Sequence, residues 1–456
     1  MKIIIIGINH AGTSALRTLL AQGGAHQITA YDRNTNISFL GCGIALVVGG
    51  VVKDINDLFY CTPLQLENKG ASVKMNHEVV AIDHQKQTIK VKDLETNRIF
   101  EDAYDRLIYA AGSWPVDIPN IPEDHGSLNN IDICKLFQHA KELIRKADDP
   151  SIEHVAVIGS GYIGVELAEA FYQKGKKVTL IDFEKRVLAR YFDTEFTGQL
   201  ESDIRHAGIT IALGEKVVDF RGENGKVKKV VTDKGTYDAD LVIKCVGFKP
   251  NTGLLPEARK TSNNAIIVDK YMRTSLPNIY AIGDAAAIYH AAFQSHQQVA
   301  LATNAVKSGI TAASHISGND AVKIDSVAGT NAICVFGNKL ASTGINEETA
   351  LRLKMNIGTS YIEDNDRPEF MASYNKTRIK LVFEKDSLRL LGAQIGSYGE
   401  ANHTEVIYYL ALAIQQKLSL LDVAFTDVYF LPHFNKPFNF VLASIMQAIG
   451  LNYYKN

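Results

Sequence analysis

Three glycines in the middle of the chain form a pattern that can bind a dinucleotide. Gly159, Gly161 and Gly164 stand in VAVIGSGYIGVE, between an apolar β-branched run and an apolar stretch of helical periodicity. In such a turn the first glycine bends the chain, the second admits a pyrophosphate, and the third lets helix and strand pack closely. Asp182 follows Gly164 by 18 residues (182 − 164), where a carboxylate binds a ribose 2′-hydroxyl and repels a 2′-phosphate. The pattern predicts a site for NADH rather than NADPH.

A second glycine pattern, which is incomplete, lies at the start of the chain. Gly7 and Gly12 occupy its outer positions, but Asn9 stands where the middle glycine is expected. Asp32 follows Gly12 by 20 residues (32 − 12), at the end of an apolar run, as a ribose-binding acid does. Two such patterns predict two dinucleotides, and the usual pair is a bound flavin and a transient nicotinamide.

Cys42 and Asp284 are further candidates for chemistry. Cys42 lies between glycines in SFLGCGIAL, before a stretch suited to a helix whose N-terminal dipole would favour the thiolate. A lone cysteine is also often an inert apolar residue, so both interpretations stay open. Asp284 in AIGDA follows a predicted strand and precedes a predicted helix, where it either binds a polyol or caps that helix.

The elements that must position these residues can be predicted from periodicity. Residues 2–32 and 155–182 each have the order strand, glycine turn, helix, strand. An antiparallel β segment and a buried strand ending in glycine follow each unit, and strands with an apolar helix over 405–416 come later. We therefore predict an α/β fold with two Rossmann-like dinucleotide-binding domains, each with a β insertion, and a C-terminal α+β dimerisation domain.

The predicted domain boundaries follow this order. The flavin-binding domain is expected in two parts, separated by the nicotinamide-binding domain and followed by the interface domain. The ranges are 1–115 (FAD-binding, first part), 116–250 (NAD-binding), 251–321 (FAD-binding, second part) and 322–456 (C-terminal interface domain).

Composition limits the class of protein. A chain of 456 residues with 46% hydrophobic and 21% charged residues is typical of several globular domains. A net charge of −2 gives no reason to expect nucleic acid or an anionic membrane as partner. The apolar start, Ile3 to Ile6, is too short for a signal peptide, and no run approaches the ~18 residues of a membrane span, so we expect a cytoplasmic protein. An odd number of cysteines without a CxxC pair argues against a disulfide framework and against a metal site: Cys42, Cys61, Cys134, Cys245 and Cys334.

Several segments together resemble one family. They are GINHAG at the start, SFLGCG around Cys42, GSGYIGVE, CVGFKPN, AIGDAA and LPHFNKPFN. The chain is similar along its whole length to the NADH oxidase and NADH peroxidase branch of the pyridine nucleotide-disulfide oxidoreductases. Relatives with a CxxxxC redox disulfide are excluded, because Cys42 has no cysteine four or five residues away. GSWP at 112–115, DNDRPEF at 364–370 and His433 are more similar to water-forming NADH oxidases than to peroxidases.

The resemblance implies a role for individual residues. Cys42 would cycle between thiolate and sulfenic acid beside the flavin, and His10 would bind the sulfur or relay a proton. Tyr162 would cover the flavin until nicotinamide displaces it. Lys53 and Glu166 would pair near the flavin N5, where a positive charge favours the reduced flavin.

The remaining cofactor contacts are also implied by the resemblance. The helix after Ala300 would direct its N-terminal dipole at the flavin. The other residues expected at FAD are Gly7, Asn9, Ala11, Gly12, Asp32, Val79, Ala110, Ala111, Gly112, Asp284, Ala300, Leu301 and Ala302. Those expected at NADH, besides Tyr162 and Glu166, are Gly159, Gly161, Ile163, Gly164, Asp182, Val246 and Gly247. Phe430 and His433 are expected as C-terminal contributors to the site of their own or the neighbouring chain.

The predicted activity is FAD-dependent oxidation of NADH with reduction of O₂ to water by four electrons. NADH peroxidase is the nearest alternative, because it would use the same Cys42 and His10 on H₂O₂. Coenzyme A-disulfide reductase is weakened by the lack of an obvious basic lane for coenzyme A. A non-enzymatic NADH-sensing flavoprotein stays open, whereas the presence of Cys42 in its full motif argues against a reductase for a carrier protein. The aromatic tail from Tyr429 to Tyr454 predicts a symmetric interface, and a homodimer is the minimum expectation.

Overall fold

The structure, a computed structural model, describes residues 1–119, 121 and 128–451. The end of the predicted aromatic tail, from residue 452, therefore lies outside the described residues. The first segment of the chain forms a βαβ unit and then an antiparallel insertion. Its elements are β1 (Lys2–Ile6), α1 (His10–Gln22), β2 (Gln27–Tyr31), α2 (Ile44–Val48), α3 (Pro63–Glu67), β3 (Ala71–Lys74), β4 (His77–Asp83), β5 (Thr88–Asp93), β6 (Ile99–Ala103), β7 (Arg106–Tyr109) and β8 (Ser113–Pro115).

The next segment repeats this order of elements. A second βαβ unit is followed by a second antiparallel insertion. The elements are β9 (Ile131–Ile133), α4 (Phe137–Asp148), β10 (His154–Ile158), α5 (Tyr162–Gln173), β11 (Lys177–Asp182), α6 (Thr194–His206), β12 (Thr210–Leu213), β13 (Val217–Glu223), β14 (Lys226–Thr232), β15 (Thr236–Asp238), β16 (Leu241–Lys244) and β17 (Phe248–Pro250).

The last third of the described chain returns to the first sheet and then forms a separate antiparallel sheet. β19 (Ile279–Ala281) joins the first parallel sheet, whereas β18 (Ile266–Ile267), β20 (Ala286–His290) and β21 (Ser295–Gln298) form a separate three-stranded sheet, and α7 (Ala302–Ile316) follows. The C-terminal elements are β22 (Asn331–Val335), β23 (Asn338–Gly344), α8 (Glu347–Arg352), β24 (Ile357–Asn365), β25 (Lys376–Glu384), β26 (Leu390–Ser397), α9 (Ile407–Gln415), α10 (Leu420–Ala424) and α11 (Phe440–Ala448).

Two parallel five-stranded sheets carry the glycine turns. Their strand orders are β19-β7-β1-β2-β3 and β12-β11-β10-β16-β9, so β1 and β10 lie at the centre. All their ladders are parallel. Continuous β-branched runs suit strands buried on both faces, and Ile3, Ile4 and Ile5 are each 0% exposed. The carboxyl ends of the central strands therefore lead directly into the glycine turns, as the sequence predicts.

The two insertions are antiparallel, as predicted. β4, β5 and β6 form one three-stranded sheet, and β13, β14 and β15 form the other. β8 and β17 pair with each other where the chain passes from one parallel sheet to the other and back. The boundaries at residues 115, 250 and 321 themselves stay predictions.

The C-terminal domain is an antiparallel sheet in the order β22-β23-β26-β25-β24. α9 packs against β26, and α11 packs against β24 and β25. The helix predicted over 405–416 is a 3₁₀ turn, Thr404–Val406, followed by α9. The predicted α+β domain is confirmed. None of the helices in the described residues is long and apolar enough to cross a membrane.

A close contact between two helices fixes one end of the flavin-side domain. α7 packs tightly on α1, because a Cβ at Gly309 would lie 2.4 Å from the carbonyl oxygen of Ala11. Ser14 also donates to the Val306 carbonyl at 2.9 Å. The N-termini of α1 and α7, which begin at His10 and Ala302, therefore keep a fixed relation.

Candidate active site

A cavity of about 1740 Å³ lies between the two parallel sheets and the C-terminal domain. It brings together most of the residues predicted from the sequence. From the flavin side it is lined by Asn9, His10, Cys42, Asp284, Ala300, Leu301 and Ala302. From the nicotinamide side it is lined by Gly159, Gly161, Tyr162, Ile163, Glu166, Asp182, Val246 and Gly247.

The second glycine turn has the geometry that its spacing predicts. Gly159 has a φ of +106°, and a Cβ there would lie 2.3 Å from the Cys245 carbonyl oxygen. A Cβ at Gly164 would lie 1.8 Å from the Gly159 carbonyl oxygen, so helix and strand need this glycine to pack. A Cβ at Gly161 would meet no atom within 4 Å. Of the three glycines of this turn, only Gly161 therefore leaves open space at the cavity, where a pyrophosphate can approach the backbone.

The first glycine turn packs against the backbone in the same way as the second, with Asn9 in place of the middle glycine. A Cβ at Gly7 (φ +89°) would lie 2.5 Å from the Ala110 carbonyl oxygen, and one at Gly12 would lie 1.9 Å from that of Gly7. Asn9 replaces the middle glycine at a φ of −92°, which an L-residue adopts without strain, and precedes α1. The departure from the glycine pattern is therefore compatible with the turn.

The two acidic residues after the turns have matching positions. Asp182 accepts from the backbone N–H of Ser160 at 2.5 Å and from that of Glu184 at 2.9 Å. Asp32 accepts from the N–H of Ile8 at 2.7 Å and from Asn34 at 2.8 Å. Burial raises the pKa of Asp32, and these hydrogen bonds oppose the rise. Each carboxylate thus braces its own glycine turn as well as standing where a ribose is predicted.

Cys42 lies in a 3₁₀ turn, Gly41–Gly43, directly before α2. It is exposed at the cavity. Partial burial of the thiol raises its pKa, its own backbone amide lowers it, and Glu166 raises it further. Cys42 does lie at the start of a helix, as predicted, but α2 spans only five residues, and burial of the thiol has the largest effect on its pKa.

His10 begins α1 and lines the same cavity. Its Nδ1 lies 3.2 Å from the Tyr60 hydroxyl, and the two rings stack with centroids 5.9 Å apart. Burial lowers the pKa of His10, with Asp284 raising it and Lys135 lowering it further. The imidazole is therefore neutral near pH 7. In the described part of the chain no hydrogen bond joins His10 to Cys42.

Glu166 lies in the cavity wall without its predicted partner. Burial, assisted by Glu169, raises the pKa of Glu166 to about 7. Lys53 is exposed in the turn after α2, and it neither lines this cavity nor forms an ion pair with Glu166. The Lys53 side chain is exposed and the Glu166 carboxyl group is half-buried, and their pairing near the flavin N5 stays a prediction.

Asp284 is held by residues that sequence reasoning missed. The Ser113 hydroxyl donates to its carboxylate at 2.6 Å, and the Lys135 ammonium lies 3.8 Å from the same oxygen. The residue stands in a 3₁₀ turn, Gly283–Ala285, that leads into strand β20. The predicted helix directly after Asp284 was therefore wrong, and the aspartate is not a helix cap. The next helix, α7, begins at Ala302 without a side-chain cap, so its first amides face the cavity.

Tyr162 is surrounded by aromatic and polar neighbours. Its ring centroid lies 4.4 Å from that of Tyr191, and its hydroxyl donates to Asn331 Oδ1. Neither neighbour was predicted. Tyr191 belongs to an aromatic stretch near Asp182 that could have suggested it, but no motif marks Asn331, which is 169 residues away.

Some predicted residues lie away from this cavity. Val79 is buried in the core, and Ala110 and Ala111 follow β7 behind the first glycine turn. Gly112 (φ +68°) accepts from the Asn251 backbone at 2.9 Å. Phe430 and His433 are exposed and do not line the cavity of their own chain.

The residues present fit two dinucleotides. Two braced glycine turns, the open space at Gly161, the uncapped N-terminus of α7 and the Asp284 carboxylate provide positions for two pyrophosphates and a polyol chain. No group of three or more His, Cys, Asp and Glu side chains that could hold a metal ion occurs among the described residues.

Comparison with known proteins agrees with this geometry. Residues 1–309 match the pyridine nucleotide-disulphide oxidoreductase family, and residues 330–439 match the dimerisation domain of that family. An NADH oxidase from Mycoplasma pneumoniae is 50% identical over 99% of this chain and 98% of its own length. An NADH oxidase from Enterococcus faecalis is 42% identical over 97% of this chain and 98% of its own length.

Comparison with a solved structure shows that the similarity includes the fold. The water-forming NADH oxidase from Lactobacillus brevis, bound to NADH, is 38% identical, with a TM-score of 0.92 over 98% of both chains. The prediction of an oxidoreductase with FAD and NAD(H) as cofactors is confirmed. The chain therefore belongs to the pyridine nucleotide-disulphide oxidoreductase family.

Proposed function

We propose that this protein is an NADH oxidase that reduces O₂ to water by four electrons. The observation that carries the proposal is the position of Cys42 and His10, which share one cavity with the nicotinamide-side residues Tyr162 and Glu166. A thiol there can react with peroxide before peroxide leaves the protein. The likeness to proteins named NADH oxidases, one of them water-forming, supports this activity.

Cys42 is the cysteine best placed to react alone. Cys134 and Cys245 also reach the cavity wall. Burial raises the pKa of Cys134 to about 12 and raises the pKa of Cys245 well above its ordinary value. Burial raises the pKa of Cys42 as well, but Cys42 is exposed at the cavity, whereas Cys134 is buried and Cys245 is partly buried. This difference supports a single-cysteine cycle rather than a disulfide.

The protein residues then have defined tasks. When bound, FAD supplies hydride acceptance from NADH and the transfer of electrons to oxygen. The Cys42 thiolate attacks one oxygen of H₂O₂, so an S–O bond forms, the O–O bond breaks, and one proton completes a water molecule. A second NADH supplies two electrons that return the sulfenic acid to thiolate and release the second water. The neutral imidazole of His10 can carry the proton.

The nicotinamide side selects and admits the substrate. Asp182 stands where a ribose 2′-hydroxyl is bound, so we expect NADH to be preferred to NADPH. Tyr162 covers the path of the nicotinamide toward the flavin until NADH displaces it. The pairing of Lys53 with Glu166 near the flavin N5, where a positive charge favours the reduced flavin, is part of this proposal.

The C-terminal domain pairs two copies of the chain in this proposal. It exposes an apolar patch that we call the C-terminal apolar patch, comprising Phe425, Val428, Tyr429, Phe430, Leu431 and Phe434. The patch lies within the residues that match a dimerisation domain. His433 lies among these residues, is exposed and does not line the cavity of its own chain, so in this proposal it contributes to the cavity of the neighbouring chain.

Oxygen-electrode stoichiometry tests the proposed activity. With FAD-loaded protein and limiting NADH, we expect half an O₂ consumed per NADH and no O₂ returned by added catalase. Cys42→Ser should shift the product to peroxide, because the thiol that reduces peroxide is lost. Cys334→Ser is the matched control, since Cys334 is exposed and does not line the cavity.

Other outcomes would assign another function. Negligible O₂ uptake with fast peroxide-dependent NADH oxidation would make the protein an NADH peroxidase. Turnover with coenzyme A disulfide alone would make it a reductase of that disulfide. A single reduction without turnover would indicate a sensor.

A further inference from the structure

A hydrogen bond joins the nicotinamide side of the cavity to the C-terminal domain. Tyr162, the first residue of α5, donates its hydroxyl proton to Asn331 Oδ1 at the start of β22. The Ser342 hydroxyl donates to the same oxygen at 3.0 Å. Asn331 Nδ2 donates to the Gly329 carbonyl at 2.7 Å. The Asn331 amide is therefore fixed at both ends and presents its oxygen to Tyr162.

The sheet beneath this contact gives it a rigid base. Asn331 and Ser342 are cross-strand partners in the antiparallel ladder of β22 and β23. β23 also pairs with β26, which places this strand inside the C-terminal sheet. Asn331 itself lies on the edge strand β22, which among the described strands pairs only with β23, so the interior strand β23 and the Ser342 hydroxyl limit how far Asn331 can follow a moving side chain on α5. Tyr162 can leave its position only by breaking the hydrogen bond.

The Tyr162 hydroxyl stays a donor at ordinary pH. Burial raises the pKa of Tyr162 well above its usual value, and Tyr191 and Glu166 add to the rise. The ring is held separately, by Tyr191 with centroids 4.4 Å apart and by Phe192 with centroids 6.5 Å apart. The Tyr162 ring can shift against these aromatic neighbours and keep contact with them, whereas a shift of its hydroxyl breaks the hydrogen bond to Asn331.

We propose that Asn331 is a positioning residue that holds Tyr162 in the closed position and sets how often the nicotinamide path opens. The proposal rests on the proposed function, because it takes Tyr162 to be the side chain that the nicotinamide displaces. A ligand that binds only the open form has its apparent affinity reduced by the fraction of molecules that are open. A buried neutral hydrogen bond that favours the closed form lowers this fraction roughly three- to tenfold.

Calorimetric titration of NAD⁺ into the FAD-loaded protein tests this without turnover. Tyr162→Phe keeps the ring and removes only the hydroxyl, and Asn331→Ala removes the acceptor. We expect each variant to bind NAD⁺ roughly three- to tenfold more tightly, and the double variant no more tightly than either one. Tyr172→Phe is the matched control, because Tyr172 lies on the same helix but does not line the cavity.

Two results distinguish this role from a merely structural one. They are the direction in which NAD⁺ affinity changes in each single variant, and whether the two changes add in the double variant. Loss of a structural residue would weaken binding, whereas loss of the contact to Asn331 should strengthen it. Unchanged or weaker NAD⁺ binding in Tyr162→Phe would overturn the proposal even if Asn331→Ala did not fold. Additive effects in the double variant would overturn it as well. Because binding is measured without oxygen, an unexpected O₂ stoichiometry would count against the proposed function and not against this contact.

Discussion

Glu166 is a cavity residue whose carboxyl group has a pKa above the ordinary value for glutamate. Its carboxyl group lies half-buried on α5, near Glu169 and without a cationic partner among the described residues. Burial penalises the charged form, and the second carboxylate adds repulsion. A group titrating at about pH 7 can take up or release a proton while NADH and products exchange.

We expect Glu166→Gln to stabilise the protein more at pH 8 than at pH 5. The folded pKa of about 7 lies above the ordinary value of 4.5, so the folded state binds more protons than the unfolded state between these pH values. The free energy of unfolding therefore falls as the pH rises through this window. The full cost of the charged, half-buried Glu166 carboxylate is present above pH 7. The variant should gain on the order of 2 kcal/mol in free energy of unfolding at pH 8 and less at pH 5.

Urea unfolding of the FAD-free protein at both pH values measures this difference. Glu67→Gln is the control, because Glu67 is exposed at the end of α3. An equal change in stability at pH 5 and pH 8 for Glu166→Gln would mean that the carboxyl group titrates as an ordinary glutamate.

Among the structural elements, the glycine turn between β10 and α5 meets two separate requirements, one for folding and one for ligand binding. Gly159 and Gly164 are needed for folding, since a Cβ at either would meet a backbone carbonyl. Gly161 is needed only for the ligand, since its Cβ would meet open space and its φ of −73° suits any L-residue. The two requirements can therefore be separated by mutation.

Gly161→Ala should fold with wild-type stability and lose NADH affinity by tenfold or more, because the methyl group occupies the space predicted for the pyrophosphate. Gly164→Ala should instead lower the melting temperature, because its Cβ would lie 1.8 Å from the Gly159 oxygen. Thermal unfolding without NADH and NAD⁺ titration measure the two effects. Full NAD⁺ affinity in Gly161→Ala would place the pyrophosphate elsewhere.

The elements that the sequence predicts well are those defined by local spacing. The two βαβ units, their insertions and the glycine turns all depend on residues within about 30 positions, where periodicity and turn chemistry act directly. Asp32 and Asp182 belong to this group, because each ends the strand next to its own turn.

The parts that the sequence does not predict depend on distant contacts. Asn331, Ser113 and Lys135 reach the cavity only because separate sheets meet there. The error at Asp284 has a similar cause, since a strand of the first domain follows where local composition suggested a helix. Lys53 is exposed, and its predicted pairing with Glu166 stays a prediction because it concerns a bound flavin.

At the scale of the whole molecule, a buried ion cluster joins the C-terminal sheet to the nicotinamide-side domain. Lys380 on β25 contacts the carboxylates of Asp193, Glu195 and Glu347 at 3.2, 2.7 and 2.5 Å. Asp193 lies two residues after Tyr191, which packs on Tyr162. The cluster holds the two domains together, and Asn331 lines the cavity, so the C-terminal domain forms part of the cavity wall as well as a candidate interface between chains.

The C-terminal apolar patch is the largest feature that a single chain leaves unexplained. Phe425 is 81% exposed and Tyr429 is 71% exposed. Contiguous aromatic surface of this kind is unfavourable in water and typical of interfaces. If two copies bury it, residues that are remote from their own cavity, His433 among them, come to lie beside the other chain.

We expect the wild-type protein to run at twice its chain mass of 50.1 kDa and Phe425→Asp to run as a monomer at micromolar concentration. A charge buried without a partner in a desolvated aromatic interface costs several kcal/mol, which weakens association by orders of magnitude. Light scattering after size exclusion measures both masses. Ile99→Asp is the control, because Ile99 is 58% exposed on β6, outside the C-terminal domain. A wild-type monomer, or a Phe425→Asp dimer, would show that the patch has another occupant, and His433 would then have no access to a second chain.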